Sequence, residues 1–207
     1  MVLDRYRVSA DRVLLPVAGR LRTVNPNTVS WLALAAAAGA GVSFFIGGAA
    51  FLILGIFLVF GNAGLDALDG KIAKISGRAS ARGDFLDHVL DRYSDVLMLS
   101  GVALGPYCPL WLGFVAILGV LLASYMGTQA QAVGVGRNYR GILGRADRLV
   151  ILFVAGALQA ALDPTGTSVL GAGALRLTYL GWAMALFALL GNVTAIQRAI
   201  STWRRLT

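Results

Sequence analysis

Six of the chain's ten acidic residues lie between positions 66 and 95, in DALDGKIAKISGRASARGDFLDHVLDRYSD, and long apolar runs flank this stretch on both sides. Asp66 and Asp69 close the run before it, while Asp84, Asp87, Asp91 and Asp95 open the run after it. If both runs are helical, the three-residue spacing of Asp66 and Asp69 and the four-residue spacing of Asp87 and Asp91 put each pair on one helix face. A carboxylate held in a bilayer costs about 2.5–3.5 kcal/mol, so four unneutralised ones cost about 10 kcal/mol, the stability of a whole domain. The two runs must therefore fold so that their acids share something positive. Lys71, Lys74, Arg78, Arg82 and Arg92 are near enough in sequence to supply salt bridges. Carboxylate oxygens without His or Cys partners are nevertheless the donor set of hard cations such as Mg2+, Mn2+ or Ca2+, and this is the reading we prefer.

With 57% hydrophobic and 14% charged residues in 207, the chain is too apolar for an ordinary soluble domain. It reads as an all-α polytopic membrane protein with six transmembrane helices behind an N-terminal surface helix. The spans are expected at Ser30 to Ile46, Ala49 to Ile75, Gly83 to Leu104, Leu110 to Ala132, Arg145 to Leu162 and Leu175 to Thr202, each near the ~20 residues a bilayer core requires. Residues 1–24 carry Arg5, Arg7, Arg12, Arg20 and Arg22, with Val8, Val13, Leu14, Val17 and Leu21 at near-helical spacing, which describes a juxtamembrane amphipathic helix. Residues 25–207 form the single transmembrane domain. Asn25-Pro26-Asn27-Thr28 ends the first helix and opens the next. The turns near 47, 106 and 165 carry no Lys or Arg, and most of the basic residues lie in the other loops and at the ends. By the positive-inside rule both termini and the acidic stretch face the cytoplasm, in a cytoplasmic membrane. Membrane lipids thereby account for the net charge of +8 without a nucleic acid partner. Gly101, Gly105, Ala35, Ala36 and Gly39 suit close helix packing. Cys108 is the only cysteine, so there is no intramolecular disulfide, and it reads as a small hydrophobe. Asn192-Val193-Thr194 matches a glycosylation pattern by chance, inside a span, and the glycines of residues 134–144 are loop hinges.

From Asp66 the spacing is D-x2-D-G-x2-A-K-x8-G-x3-D-x3-D. This resembles the signature of the CDP-alcohol phosphotransferase family, which has arginine where this chain has Lys74; Lys74 keeps the charge without the bidentate fork. The resemblance implies an integral membrane enzyme that moves a lipid phosphoryl group from a CDP-linked lipid, CDP-diacylglycerol or CDP-archaeol, to the hydroxyl of a small polar acceptor and releases CMP. It implies that Asp66, Asp69, Asp87 and Asp91 bind one or two Mg2+ or Mn2+ ions and that Asp91 is also the general base. By the same resemblance Asn27, Asp69, Gly70, Ala73, Lys74 and Gly83 meet the nucleotide, and the protein is a homodimer.

On the basic side, Arg137, Arg140, Arg145 and Arg148 fall within twelve residues, and Arg198 lies near the end of the sixth span. Arginine matches phosphate geometry, so with Gln131 this group is the expected grip on a phosphorylated acceptor, glycerol phosphate or inositol phosphate, while Arg137 and Arg140 serve equally well as an anchor to anionic lipid headgroups. Relatives that use inositol phosphate commonly carry a Lys-x-Arg pair where this chain has Gln129 and Gln131. His88, beside Asp87 in sequence, should point about 100° away from it on a helix. The rival reading is a cation or proton transporter that uses the carboxylates as its pathway. That reading needs acids near the bilayer midplane, and these cluster at one end. A scaffold without catalysis would need no metal at all.

Overall fold

The structure, a computed structural model, describes residues 7–138, 140–167, 170–171 and 176–206, with side chains at Arg12 and from Leu14 onward. Its helices are α1 (Arg7–Arg20), α2 (Pro26–Ile46), α3 (Ala49–Ile75), α4 (Ala81–Leu104), α5 (Leu110–Ala132), α6 (Arg145–Leu162) and α7 (Tyr179–Trp203). No strand occurs among the described residues, only an isolated antiparallel bridge between Leu170 and Leu177. The N-terminal segment expected as a surface helix is helical over Arg7–Arg20, as α1, and the side chains of Val8 and Val13 lie outside the described residues. Three expected spans coincide with α3, α5 and α6, and α2 and α4 begin a few residues earlier than expected. The last helix starts later, at Tyr179, because Thr178 caps it by accepting from the Gly181 amide; Leu175 lies outside the described residues.

Four helices, α2, α3, α5 and α7, are long and apolar enough to cross a membrane. The expectation of six is therefore met for four on these grounds. α4 and α6 have 24 and 18 residues, which at 1.5 Å per residue are about 36 and 27 Å long. They fall short on polarity, because α4 opens with Arg82, Asp84, Asp87, Asp91, Arg92 and Asp95 and α6 with Arg145, Asp147 and Arg148.

Helices α2 to α7 pack as a closed ring in the order α2, α3, α6, α7, α5, α4, and α1 lies against α3. Phe57, Phe60, Trp111, Phe114 and Leu189 point outward, as lipid-facing side chains do, while Phe44, Met98, Val102, Val120 and Phe187 are buried. Glycine sets the closest approaches. A Cβ on Gly101 in α4 would stand 2.0 Å from the Gly41 carbonyl oxygen in α2, and one on Gly105 would stand 2.5 Å from the Phe44 carbonyl oxygen. On α2 the buried small residues are Ala33, Ala37, Ala40 and Gly41; of the expected ones, Gly39 packs close to α3, where a Cβ would stand 3.0 Å from Leu58, while Ala35 is exposed. An unbroken small-residue run has no apolar periodicity to mark its inner face. Because the obstacle at Gly101 is backbone, Gly101→Ala must push α2 and α4 apart. Its better helix propensity recovers only about 1 kcal/mol, and overpacking of this kind costs about 3 kcal/mol. Thermal denaturation in detergent should show a midpoint lowered by roughly 5–10 °C.

The ring is pinned at the end away from the acids. Gly47 and Gly48 turn α2 into α3 with φ of +76° and +82°. Buried Tyr107, from the α4–α5 loop, accepts from the Gly48 amide at 3.0 Å and donates to the Pro164 carbonyl at 3.4 Å, tying three connections together. Burial pushes the thiol of neighbouring Cys108 up to about 11, which disfavours the thiolate at neutral pH.

Candidate active site

The acids assemble where α3 ends and α4 begins. The Ser76–Ser80 connection is short, so the two helices return antiparallel, and Ser80 starts α4 by accepting from the Gly83 amide at 3.1 Å. Arg145, the first residue of α6, places Nη1 2.5 Å from Asp66 Oδ2 and 2.6 Å from Asp91 Oδ1. Carboxylates from two helices thus converge on one point, and a cation occupies it. Asp69 is 5% exposed and accepts the Ser30 hydroxyl at 2.6 Å. Asp66 and Asp87 are close enough to repel each other, and Asp69 repels both. Asp87, His88 and Asp91 bring one ligand atom each within 4.8 Å of one another. Among the described residues, two of the four expected metal ligands, Asp87 and Asp91, belong to this group, and Asp66 and Asp69 border it. His88 joins it, contrary to the expectation that it points away, because its ring folds back along the helix toward both Asp84 and Asp87.

A cavity of about 170 Å³ opens beside this group, between the start of α2, the end of α3 and the start of α4. Its lining includes all six residues expected to meet a nucleotide: Asn27, Asp69, Gly70, Ala73, Lys74 and Gly83. Small residues leave the room. Among the described residues, a side chain at Gly70 would meet nothing within 4 Å. Asn25 orders the entrance by accepting from the Asn27 amide at 3.1 Å, with Pro26 in the first turn of α2. Sequence reasoning assigned no site role to Ser30, Arg78, Ala79, Ser80 or Asp84, which also line it. Ser30 had no signal, being one small polar residue in an apolar run. Arg78, read only as a salt-bridge partner, lies on the cavity and donates to the Thr23 and Val24 carbonyls at 3.4 and 3.3 Å.

The residues expected to hold the acceptor are mostly occupied by the protein itself, and none lines the cavity. Arg145 faces inward as expected, onto the acids. Arg148 is 6% exposed and donates to Asp95 Oδ2 at 2.6 Å, while Arg92 and Arg145 lie 3.8 and 3.9 Å from the same buried carboxyl. Arg92 pairs with Asp91 and Asp95 as one of the expected salt-bridge partners, whereas Asp95, one turn past Asp91 in the acidic stretch, had been given no role. Arg198 donates to the carbonyls of Arg140 and Ala123 at 2.7 and 2.5 Å, which fastens the loop after α5 to the helix ends. In that loop Arg137 meets the His88 ring, Arg140 is exposed, and Gln131 and Gln129 are exposed on the last turns of α5. These guanidinium groups form a basic wall against the acids. Arg145, Arg148 and Arg198, the least exposed of them, each have an oxygen that neutralises or accepts from them, as they must, since an unpaired buried charge costs several kcal/mol.

Comparison with known proteins bears on what this arrangement does. Residues 23–196 match the CDP-alcohol phosphatidyltransferase family. The archaetidylinositol phosphate synthase of Methanothermobacter thermautotrophicus is 31% identical over 206 residues, which span 99% of this chain and 96% of that protein. The phosphatidylinositol phosphate synthase of Cutibacterium acnes is 31% identical over 212 residues, 98% of each chain. Among solved structures, the Mycobacterium tuberculosis phosphatidylinositol phosphate synthase with CDP-DAG bound superposes with a TM-score of 0.77 at 23% identity, covering 93% of this chain and 94% of that one. The same enzyme in complex with manganese and citrate gives 0.74 at 23% identity, with 92% and 88% covered. The transporter reading has no support in these matches. An acidic cluster at one end of a closed helix ring, beside a small cavity, together with a match over most of the length, makes this chain a member of the CDP-alcohol phosphatidyltransferase family, a membrane-embedded transferase of phospholipid biosynthesis.

Proposed function

We propose that the protein transfers a phosphatidyl or archaetidyl group from a CDP-linked lipid to inositol phosphate, releasing CMP. The observation that carries this is the cavity holding Asn27, Asp69, Gly70, Ala73, Lys74 and Gly83 together beside Asp66, Asp87 and Asp91. Inositol phosphate is favoured over glycerol phosphate by the names of the two full-length relatives. Exposed Gln129 and Gln131, in place of the Lys-x-Arg pair, leave the acceptor's charge to the arginines.

The acids fit a divalent cation. Arg145 already places a positive group between Asp66 and Asp91, and an all-carboxylate donor set suits Mg2+ or Mn2+. Asp66, Asp69, Asp87 and Asp91 would hold one or two such ions, whose chemistry is to neutralise the donor's diphosphate and the CMP leaving group. The remaining work belongs to side chains. Gly70 and Ala73 let the nucleotide approach α3, Lys74 contacts phosphate, and Gly83 allows approach at the start of α4. Asp91 takes the proton of the acceptor hydroxyl as its oxygen bonds to the lipid-bearing phosphorus, and the bond from that phosphorus to the CMP oxygen breaks. Arg137, Arg140, Arg145, Arg148, Arg198 and Gln131 surround the acceptor side. Buried nitrogens of Arg92, Arg145 and Arg148 have no hydrogen-bond partner among the described residues, and a phosphate supplies the acceptors they lack. In this reading α4 and α6 also span the bilayer, their polar halves facing the ring's interior, and a homodimer sits in the cytoplasmic membrane with its termini and site toward the cytoplasm.

CMP release from CDP-archaeol or CDP-diacylglycerol, measured with a panel of acceptors, tests the proposal. Fastest release is expected with inositol phosphate and a divalent ion. Release only with inositol, glycerol or serine would overturn the acceptor, and none with any alcohol would overturn the reaction. Gly70→Val fills open space, so its melting temperature should match that of the wild type. The branched side chain enters the nucleotide's cavity, and calorimetry should show CDP-lipid affinity reduced about tenfold or more.

A further inference from the structure

Arg145 Nη1 lies 2.5 Å from Asp66 Oδ2 on α3 and 2.6 Å from Asp91 Oδ1 on α4. A divalent ion shared by those carboxylates sits on bonds of about 2.0–2.1 Å, in the same space between the two oxygens. Guanidinium nitrogen and ion therefore exclude one another. We propose that Arg145 is an internal counter-ion that competes with the metal for Asp66 and Asp91 and is displaced from them when the metal binds, which rests on the metal-site reading above.

Three observations support the exchange. First, the acids need a positive partner at all times, because buried carboxylates without one are strongly destabilising, and Arg145 is a partner that travels with the chain. Second, it has somewhere to go. Its Nε lies 3.9 Å from Asp95 Oδ1, a 3% exposed carboxyl on the next turn of α4, so a side-chain rotation exchanges one set of acids for another. Third, its hold is incomplete: Nε and Nη2 are buried without a hydrogen-bond partner among the described residues, although arginine offers five donors. Once turned away from Asp66 and Asp91, the guanidinium would stand beside Arg92 and Arg148, which also have partnerless nitrogens. An anion is attracted to that grouping, so metal loading would prepare the basic wall for a phosphate, and phosphate binding would strengthen metal binding in return.

Two measurements on the purified full-length protein in detergent decide this. Mn2+ binding, read by the loss of the free-ion electron paramagnetic resonance signal, should be about tenfold tighter in Arg145→Met than in wild type, because the competitor is gone. Unchanged or weaker binding would overturn the proposal. The wild type is then treated with phenylglyoxal, which modifies arginine, and the label is located by mass spectrometry. Modification at Arg145 should accelerate about threefold or more on saturating with Mn2+, as the bridged population empties. This distinguishes displacement from a simple reduction of positive charge in the variant, and it decides the matter alone if Arg145→Met does not fold. A rate unchanged or slowed by Mn2+ would overturn displacement even if the variant binds more tightly. Failure of wild type to bind Mn2+ at all would instead count against the metal site itself.

Discussion

Asp91→Asn is expected to lower the rate of CMP formation about 10³-fold while CDP-lipid affinity changes little, as loss of a general base does. The substitution preserves volume and retains one acceptor oxygen, but removes the group that takes the acceptor's proton. Asp91 lies between Arg145 at 2.6 Å and Arg92 at 3.3 Å, so the neutral amide costs some pairing energy, and a thermal melt should accompany the kinetics. Single-turnover rates beside calorimetric binding of a CDP-lipid separate the two effects. A variant that keeps a tenth of the wild-type rate would remove Asp91 as the base, whatever its role at the metal.

Asp66→Ala acts on binding instead. Its carboxyl is one of the pair held by Arg145 and one of the four proposed to hold the metal. Deleting a directly coordinating group removes charge and geometry together, so metal-dependent affinity for a CDP-lipid should fall about a hundredfold or more. Stability should fall much less, since Asp66 is partly exposed and Arg145 retains Asp91. The check is calorimetry with Mg2+ or Mn2+ and with a chelator. Affinity that equals wild type in both conditions would show that Asp66 is not a ligand. Together the two substitutions separate proton transfer from charge neutralisation, which the close packing of the acids would otherwise leave merged.

The helices were legible from hydropathy because bilayer thickness and backbone hydrogen bonding leave a buried apolar run few options. The ends of α3, α5 and α6 followed from where apolar residues meet glycine, proline or charge. Side-chain direction was less legible. The inner face of α2 was read only in part, right at Gly39 and wrong at exposed Ala35, because its alanines and glycines have no pattern, and the Gly41 and Gly101 backbones show which face α4 selects. His88 was assigned a wrong direction because a rotation of 100° per residue describes where Cβ leaves the helix and not where a long ring ends.

The positions of acids and small residues along α3 and α4 carried the resemblance to the family and the convergence of the acids, because a helix converts sequence interval into direction and four carboxylates beside a membrane must converge or be neutralised. Through that resemblance came the expectation that Asn27, Gly70, Ala73, Lys74 and Gly83 meet one ligand, and these residues line one cavity. What only the tertiary structure decided is how the arginines are used. A guanidinium's long, flexible stem reaches any of several oxygens, so its partner depends on which helices the ring sets side by side. Packing α6 against α3 and α7 brings Arg145 onto Asp66 and Asp91 and Arg148 onto Asp95, and it leaves Arg198 bound to backbone carbonyls.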